Sequence, residues 1–386
     1  MQRKIRVLET IRQGKIGGGE THVLDLVQAL DKTRFEPVVL SFTAGPMIDR
    51  LRALGIPVHV IETHKPFDFT IWSRVKQLLR EEKIDLVHAH GTRAQSNSFW
   101  AARQLGLPML YTVHGWSFHM DQKPLAKKLH QMGEKLLMAQ ADRTICVSNS
   151  NRRDGLKFSD MARAVVIQNG INLHKFNPSL TAHDVRAELG IAKDVLLVGY
   201  IARITAQKDP FTLLRAVALL PHTLKIKFLL VGDGDLKAEA LALARQLKIE
   251  AKVIFTDFRQ DVPDLLQAVD IYCLPSLWEG LPIGVLEAMA MGKAVIASNI
   301  EANREIVEHD LNGLLVPPRS PEKLAAAIQQ LAASKELRRS LGAQAYRTIQ
   351  TGFTAEEMTR QVEQLYWEQL RQLPQLQRGT LAPAHS

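Results

Sequence analysis

The sequence predicts an α/β protein built from two doubly wound, parallel-sheet domains, and three observations carry that reading. Short apolar runs alternate with amphipathic segments, the alternation breaks once and starts again, and 386 residues are too many for one ordinary domain and enough for two. Strand alternating with helix implies right-handed crossovers between parallel strands.

In the first half, the apolar runs at 7–8, 38–40, 58–61, 86–90, 109–113 and 144–147 read as buried strands. Val23, Leu26, Val27 and Leu30 recur at three and four and give the first helix its apolar face. Asn177-Pro178-Ser179 interrupts the periodicity, and runs at 195–198, 228–231, 253–255, 271–274 and 294–297 repeat the rhythm in a second sheet. The expected domains are therefore 1–178 and 179–352. Thr354-Ala355-Glu356-Glu357 has the form of a capping box that opens a last helix over 353–373, and the polar, aperiodic 374–386 is expected to be disordered.

Composition narrows the function classes. With 46% hydrophobic and 23% charged residues the chain is of soluble globular type, and no run approaches the roughly 20 apolar residues of a membrane span. The N-terminal charges lead straight into a strand pattern without a long apolar core, so a cytoplasmic location is expected. Cys146 and Cys273 sit in separate apolar runs and read as reduced core residues. Residues 1–180 hold 26 Lys and Arg against 16 Asp and Glu, a charge of +10, which leaves −1 for the remainder. No Arg/Lys run interleaves with aromatics, so no nucleic-acid partner is expected. An anionic membrane surface or a phosphorylated acceptor accounts for the one-sided excess, and so does a plain solvated surface.

Four segments hold candidate chemistry. Gly17-Gly18-Gly19 follows the first strand and opens the first helix, where backbone lacking Cβ can approach a phosphate at the positive helix end. The dinucleotide fingerprint would need glycine at 22, where this chain has His22, and the P-loop ending is missing; a tight strand-to-helix turn is the plain alternative. Arg203 and Lys208 lie just past the first strand of the second sheet, where two cations could neutralise a diphosphate or simply decorate a loop. In Glu279-Gly280-Leu281-Pro282-Ile283-Gly284-Val285-Leu286-Glu287, Pro282 suits a first helical position. That puts Glu279 in the loop and Glu287 in the second turn, with the amides of Leu281, Pro282's neighbour Ile283 and the turn between them at a phosphate. His88 and His90 alternate onto one side of a strand, but no Asp/Cys cluster completes a metal site. His88 and His119 read as satisfied structural histidines, and His114, at a strand end, as a ligand hydrogen-bonding group.

Together these residues resemble the family 4 glycosyltransferases of the GT-B fold, over about residues 5–373. The Glu-x7-Glu segment is the most specific match, joined by Gly17-Gly18, His114-Gly115, Asn169-Gly170 and the Arg203/Lys208 pair in the family's order. Asn172 replaces the usual Asp of the linker motif, Ala202 the usual Gly before the arginine, and Leu281-Pro282 the commoner Phe-Gly. The resemblance implies a retaining transfer of a hexose-type sugar from a nucleotide diphosphate sugar, UDP before GDP. The acceptor would be a glycan or lipid-linked saccharide in cell-envelope polysaccharide, lipopolysaccharide or glycolipid synthesis. It assigns Arg203 and Lys208 to the diphosphate, Glu279 to the donor sugar, Glu287 to the ribose, the Gly17-Gly18 amides to phosphate and His114 to the sugar near the reacting face. No metal and no cofactor are implied, and the last helix is expected to cross back to the first domain. A noncatalytic nucleotide-sugar-binding protein and a sugar-nucleotide epimerase are the alternatives. A nicotinamide-dependent oxidoreductase fits the fold class but not the glycine spacing or the glutamate pair.

Overall fold

The structure is a computed structural model that describes residues 3–14, 17–118 and 122–372. His119 and the expected tail 374–386 lie outside them. The chain forms two compact units: residues up to Gly170 together with those from Ala355 onward, and Ile171–Thr354.

The first unit holds seven parallel strands, β1 (Ile5–Ile11), β2 (Phe35–Ser41), β3 (Val58–Val60), β4 (Leu86–His90), β5 (Met109–Val113), β6 (Arg143–Cys146) and β7 (Ala164–Val166), in the order β3-β2-β1-β4-β5-β6-β7. The second holds six, β8 (Leu196–Ile201), β9 (Ile226–Val231), β10 (Val253–Thr256), β11 (Ile271–Leu274), β12 (Ala294–Ser298) and β13 (Leu314–Val316), in the order β10-β9-β8-β11-β12-β13. Both sheets run outward in two directions from a central pair, so each has a switch point, β1/β4 and β8/β11, at which a crevice opens beyond the strand C-termini. The edge strands β7 and β13 are three residues each, too short to show a period in the sequence.

The strands β1, β2, β4, β5 and β6 bury both faces, as the inner strands of parallel sheets do, while the edge strands β3 and β7 are half-buried. Leu8 packs with Val38, Leu40, Val75, Leu79 and Val87 on one face, while Ile5, Val7, Leu26, Phe35, Leu86 and Leu110 meet the last helix, Ala355–Arg371, on the other. That helix brings Met358, Val362, Leu365, Tyr366 and Leu370 into the core, each apolar side chain stabilising the contact by about 1.5–3 kcal/mol. The C-terminal segment therefore belongs physically to the first unit, although 184 residues of the second unit separate it from Gly170. The chain leaves the first unit at Gly170, earlier than the Asn177-Pro178-Ser179 break, because Ile171 already pairs with the returning segment: its N–H donates to the Phe353 carbonyl at 2.8 Å. Asn172 does the turn work expected of an aspartate, its Oδ1 accepting from the amides of His174 at 3.0 Å and Lys175 at 3.2 Å.

Candidate active site

The second unit assembles its charged residues at its switch point. Two loops lie back to back there, and glycine makes this possible: a Cβ on Gly232 would sit 2.2 Å from the Ala202 carbonyl oxygen, and one on Gly234 2.1 Å from that of Ile204. Gly232-Asp233-Gly234-Asp235 is thus a strand-end turn that also props the loop carrying Arg203. The Ile204 N–H donates to the Asp233 carbonyl at 3.0 Å, and the Tyr200 hydroxyl to the Arg203 carbonyl at 3.1 Å. Arg203 itself is exposed.

Lys208 ends a short 3-10 turn, Ala206–Lys208. Asp209 follows in the left-handed conformation at φ 45°, and its carboxylate caps the next helix by accepting from Thr212 N at 3.1 Å and Thr212 Oγ1 at 2.6 Å. With Pro210 at the first helical position the turn is rigid, and it delivers the Lys208 ammonium to the Glu279 carboxylate. Gln207 completes the contact, its amide donating to Glu279 Oε2 at 3.2 Å and to the Trp278 carbonyl at 3.0 Å. The Lys208 and Glu279 side chains are 15% and 6% exposed, so they form a largely buried ion pair. The sequence reading gave these two residues to different parts of a ligand; the structure joins them.

Pro282 is the N-cap of the helix Ile283–Ala290, one position before the expected first turn, which leaves Glu287 in the second turn and half-buried. Leu281, Pro282 and Ile283 are buried. The helix approaches β11 so closely that a Cβ on Gly284 would lie 2.4 Å from the Tyr272 hydroxyl. Burial, then the charges of Glu287 and Glu279, push the Tyr272 phenol well above its ordinary pKa, which places both carboxylates within electrostatic reach of one buried ring.

The first unit has its own constellation. Gly17 is the N-cap of the helix Gly18–Ala29, and a Cβ on Gly19 would sit 3.4 Å from the His114 ring, so the glycine turn and His114 come together at the β1/β4 switch point. Behind them lies a polar cluster that sequence reasoning missed in part. Register sets Glu9 of β1 opposite His88 of β4. The fully buried Glu9 carboxylate accepts from His90 Nε2 at 2.8 Å and from the Tyr366 hydroxyl at 2.7 Å, with His88 Nδ1 at 3.2 Å. His88 also meets Tyr366 and Thr112, each at 2.7 Å, and is satisfied. His90 Nδ1 lies 3.1 Å from His114 Nε2, and His22 Nδ1 lies 3.0 Å from Asn169 Oδ1.

Burial raises the Glu9 pKa, but the charge and hydrogen bonds of His88 and His90 outweigh it and hold the carboxyl below its usual range. Burial pushes His90 down to about 4, and it pushes His22 and His114 well below the ordinary imidazole value. Ring nitrogens of His22, His90 and His114 fall within 4.8 Å of one another, a spacing a metal ion could bridge, but two of the three are taken up by the His90–His114 hydrogen bond. A second buried carboxylate, Glu134, accepts from Tyr111 Oη at 2.8 Å, Thr92 Oγ1 at 2.7 Å and Ser117 N at 3.3 Å, fastening the helix Pro124–Ala139 to the segment after His114. Among the described residues, no helix is long and apolar enough to cross a membrane.

Two Rossmann-like parallel sheets, each with a polar cluster at its own switch point, define a protein of the GT-B class. The family described as Glycosyltransferase Family 4 matches residues 16–175, and that described as Glycosyl transferases group 1 matches residues 182–348. The chain belongs to the family 4 glycosyltransferases. It is 27% identical over 349 residues to the UDP-Gal:alpha-D-GlcNAc-diphosphoundecaprenol alpha-1,3-galactosyltransferase of Escherichia coli, covering 86% of this chain and 89% of that one. The fold is similar to that of HepE from Anabaena, solved with UDP and glucose, at TM-score 0.84 and 24% identity over 94% of this chain and 99% of that one. It is also similar to that of a glycosyltransferase from Rickettsia africae, at TM-score 0.80 and 22% identity over 96% of this chain and all of the other.

Proposed function

We propose that this glycosyltransferase moves a hexose-type sugar from a nucleotide diphosphate sugar, UDP before GDP, to a lipid-linked or glycan acceptor of the cell envelope, with retention at the anomeric carbon and without a metal ion. The observation that carries the reading is the cation–carboxylate cluster at the end of β8, where Lys208 pairs with Glu279, Gln207 reaches both Glu279 at 3.2 Å and Arg203 at 3.5 Å, and Glu287 lies on the helix that follows. As the bond from the anomeric carbon to the diphosphate breaks, the departing oxygen takes the electron pair, and two fixed cations stabilise that charge where another transferase would use a metal. The acceptor hydroxyl joins the anomeric carbon and its proton passes to the leaving phosphate, so no protein base is needed. Lys208 and Gln207 hold Glu279, which supports its role as the acceptor of hydrogen bonds from sugar hydroxyls, with Glu287 taking a ribose. In the first unit the Gly17 and Gly18 turn and His114 form a separate candidate ligand-contacting group. The donor named for the Escherichia coli relative, a UDP-sugar, supports the nucleotide, and its diphosphoundecaprenol acceptor supports the lipid-linked class.

An exposed helix face supports a peripheral location at the inner face of the membrane. Leu125, Leu129, Met132 and Leu136, spaced by four, three and four, are 73%, 59%, 61% and 49% exposed on the helix Pro124–Ala139, while Glu134, Leu137 and Met138 face the core. Lys123, Lys127, Lys128 and Lys135 flank that stripe, the arrangement that seats an amphipathic helix on anionic lipid. The test is a donor screen with UDP-, GDP-, ADP- and TDP-sugars in EDTA, following nucleotide release with and without membrane glycan extract. Extract-dependent release in EDTA is the expected result; tight nucleotide binding with no release from any donor would favour a noncatalytic binding protein.

A further inference from the structure

Proton bookkeeping in the buried cluster of the first unit goes further than the assignment of His114 to a sugar. The Glu9 carboxylate can only accept, so the His90 nitrogen that meets it at 2.8 Å, Nε2, carries the proton. His90, its pKa pushed down by burial, is neutral, which leaves its Nδ1 a bare lone pair. The His114 nitrogen facing that lone pair at 3.1 Å, Nε2, must then be the donor, and in neutral His114 the remaining nitrogen, Nδ1, is an acceptor. Among the described residues nothing satisfies that Nδ1, although it is buried. The other partners agree. Tyr366 gives its one proton to Glu9 Oε1 at 2.7 Å, so His88 Nδ1 donates to the Tyr366 oxygen and Thr112 donates to His88 Nε2.

We propose that Glu9 and His90 are positioning residues that hold His114 as the Nε2–H tautomer, with its buried Nδ1 a hydrogen-bond acceptor and not a proton donor. The polarity starts at Glu9, passes through His90 and ends at the unpartnered His114 Nδ1, and Tyr366 of the last helix holds its origin in place. This rests on the reading of His114 as a ligand-contacting residue, but the tautomer itself is independent of catalysis.

Long-range ¹H–¹⁵N correlation spectra of the full chain labelled with ¹⁵N-histidine, with His114→Gln to assign the resonance, show which ring nitrogen holds the proton. A neutral His114 protonated on Nε2 at pH 7 is expected; a proton on Nδ1, or an imidazolium, would overturn the proposal whether or not any donor is turned over. Kinetics supply the second arm. His90→Phe, which removes the acceptor, should lower kcat/KM for the nucleotide sugar by about 10-fold or more while the Kd for the nucleotide diphosphate alone stays within about twofold. His90→Gln, whose amide can donate to Glu9 and accept from His114, should recover most of that loss. Equal activity in the Phe and Gln variants would overturn the relay. Failure of every donor would instead remove the transfer reading and leave the spectra to decide the tautomer.

Discussion

Replacing Lys208 with methionine keeps the unbranched apolar stem, one atom shorter, and deletes the charge, which strands Glu279. In the wild type the two side chains are 15% and 6% exposed, and among the described residues that carboxylate's other polar contact is the Gln207 amide at 3.2 Å. Removing one partner of a fully buried pair costs roughly 3–5 kcal/mol, and the partial exposure of Lys208 brings the expectation down to about 2–3 kcal/mol. The cost should appear locally, because β8 and β11 carry the two loops concerned. Hydrogen–deuterium exchange of peptides spanning these strands is the assay, and about 30-fold faster exchange is expected. Glu279→Gln in the same chain removes the stranded charge and should bring exchange back to within about fivefold of wild type. Turnover should behave differently: Lys208→Met should lose about 100-fold in kcat at saturating donor, and Glu279→Gln should not restore it, since the missing cation acts on the leaving group. Unchanged exchange in Lys208→Met, or turnover rescued together with stability, would refute this division of roles.

Other predictions follow from the same geometry. Gly234→Ala should disturb the Arg203 loop, because the new methyl would meet backbone 2.1 Å away, and kcat should fall with little change in the first unit's exchange pattern; wild-type kinetics would contradict it. Gly284→Ala should cost about 1–3 kcal/mol by clashing with the Tyr272 hydroxyl, and Tyr272→Phe should relieve it in a denaturation series. His90, His22 and His114 have folded-state pKa values below their unfolded ones, so the unfolded chain binds more protons as pH falls through about 6.5 and stability drops toward about pH 4, on the order of 3 kcal/mol for His90 alone. Glu9, whose pKa is also depressed, adds a further loss below about 4.5. A denaturation midpoint flat between pH 7 and 5 would count against neutral buried histidines. Leu129→Ser with Met132→Ser should reduce binding to vesicles containing anionic lipid several-fold, and unchanged sedimentation would discard that helix face as the docking surface.

The architecture was legible because every strand of four or more residues lies in an apolar run, as does the three-residue β3, whereas the apolar runs of β7 and β13 are too short to be told from other buried segments. Arg203, Lys208, Glu279 and Glu287 were legible as types at strand ends, yet the Lys208–Glu279 pair was not, since a left-handed Asp209 and a three-residue turn decide where the ammonium goes. The buried cluster was the least legible. Glu9 looks like a surface charge in a strand, Tyr366 lies 357 residues away in the chain, and His22 stood out only as a glycine that was missing. A glutamate inside a doubly buried parallel strand, three strands along the chain before a pair of alternating histidines, was the available signal.

The proposed reaction is sugar transfer from a nucleotide diphosphate donor whose leaving group is stabilised by Arg203 and Lys208. Its most direct measurement is the stoichiometry of nucleotide diphosphate released against sugar gained by a lipid-linked acceptor, followed by mass spectrometry in EDTA. One sugar per nucleotide diphosphate, abolished in Arg203→Ala and Lys208→Ala, is the predicted result. Nucleotide release with no sugar on the acceptor, or transfer that stops when EDTA is added, would contradict the account.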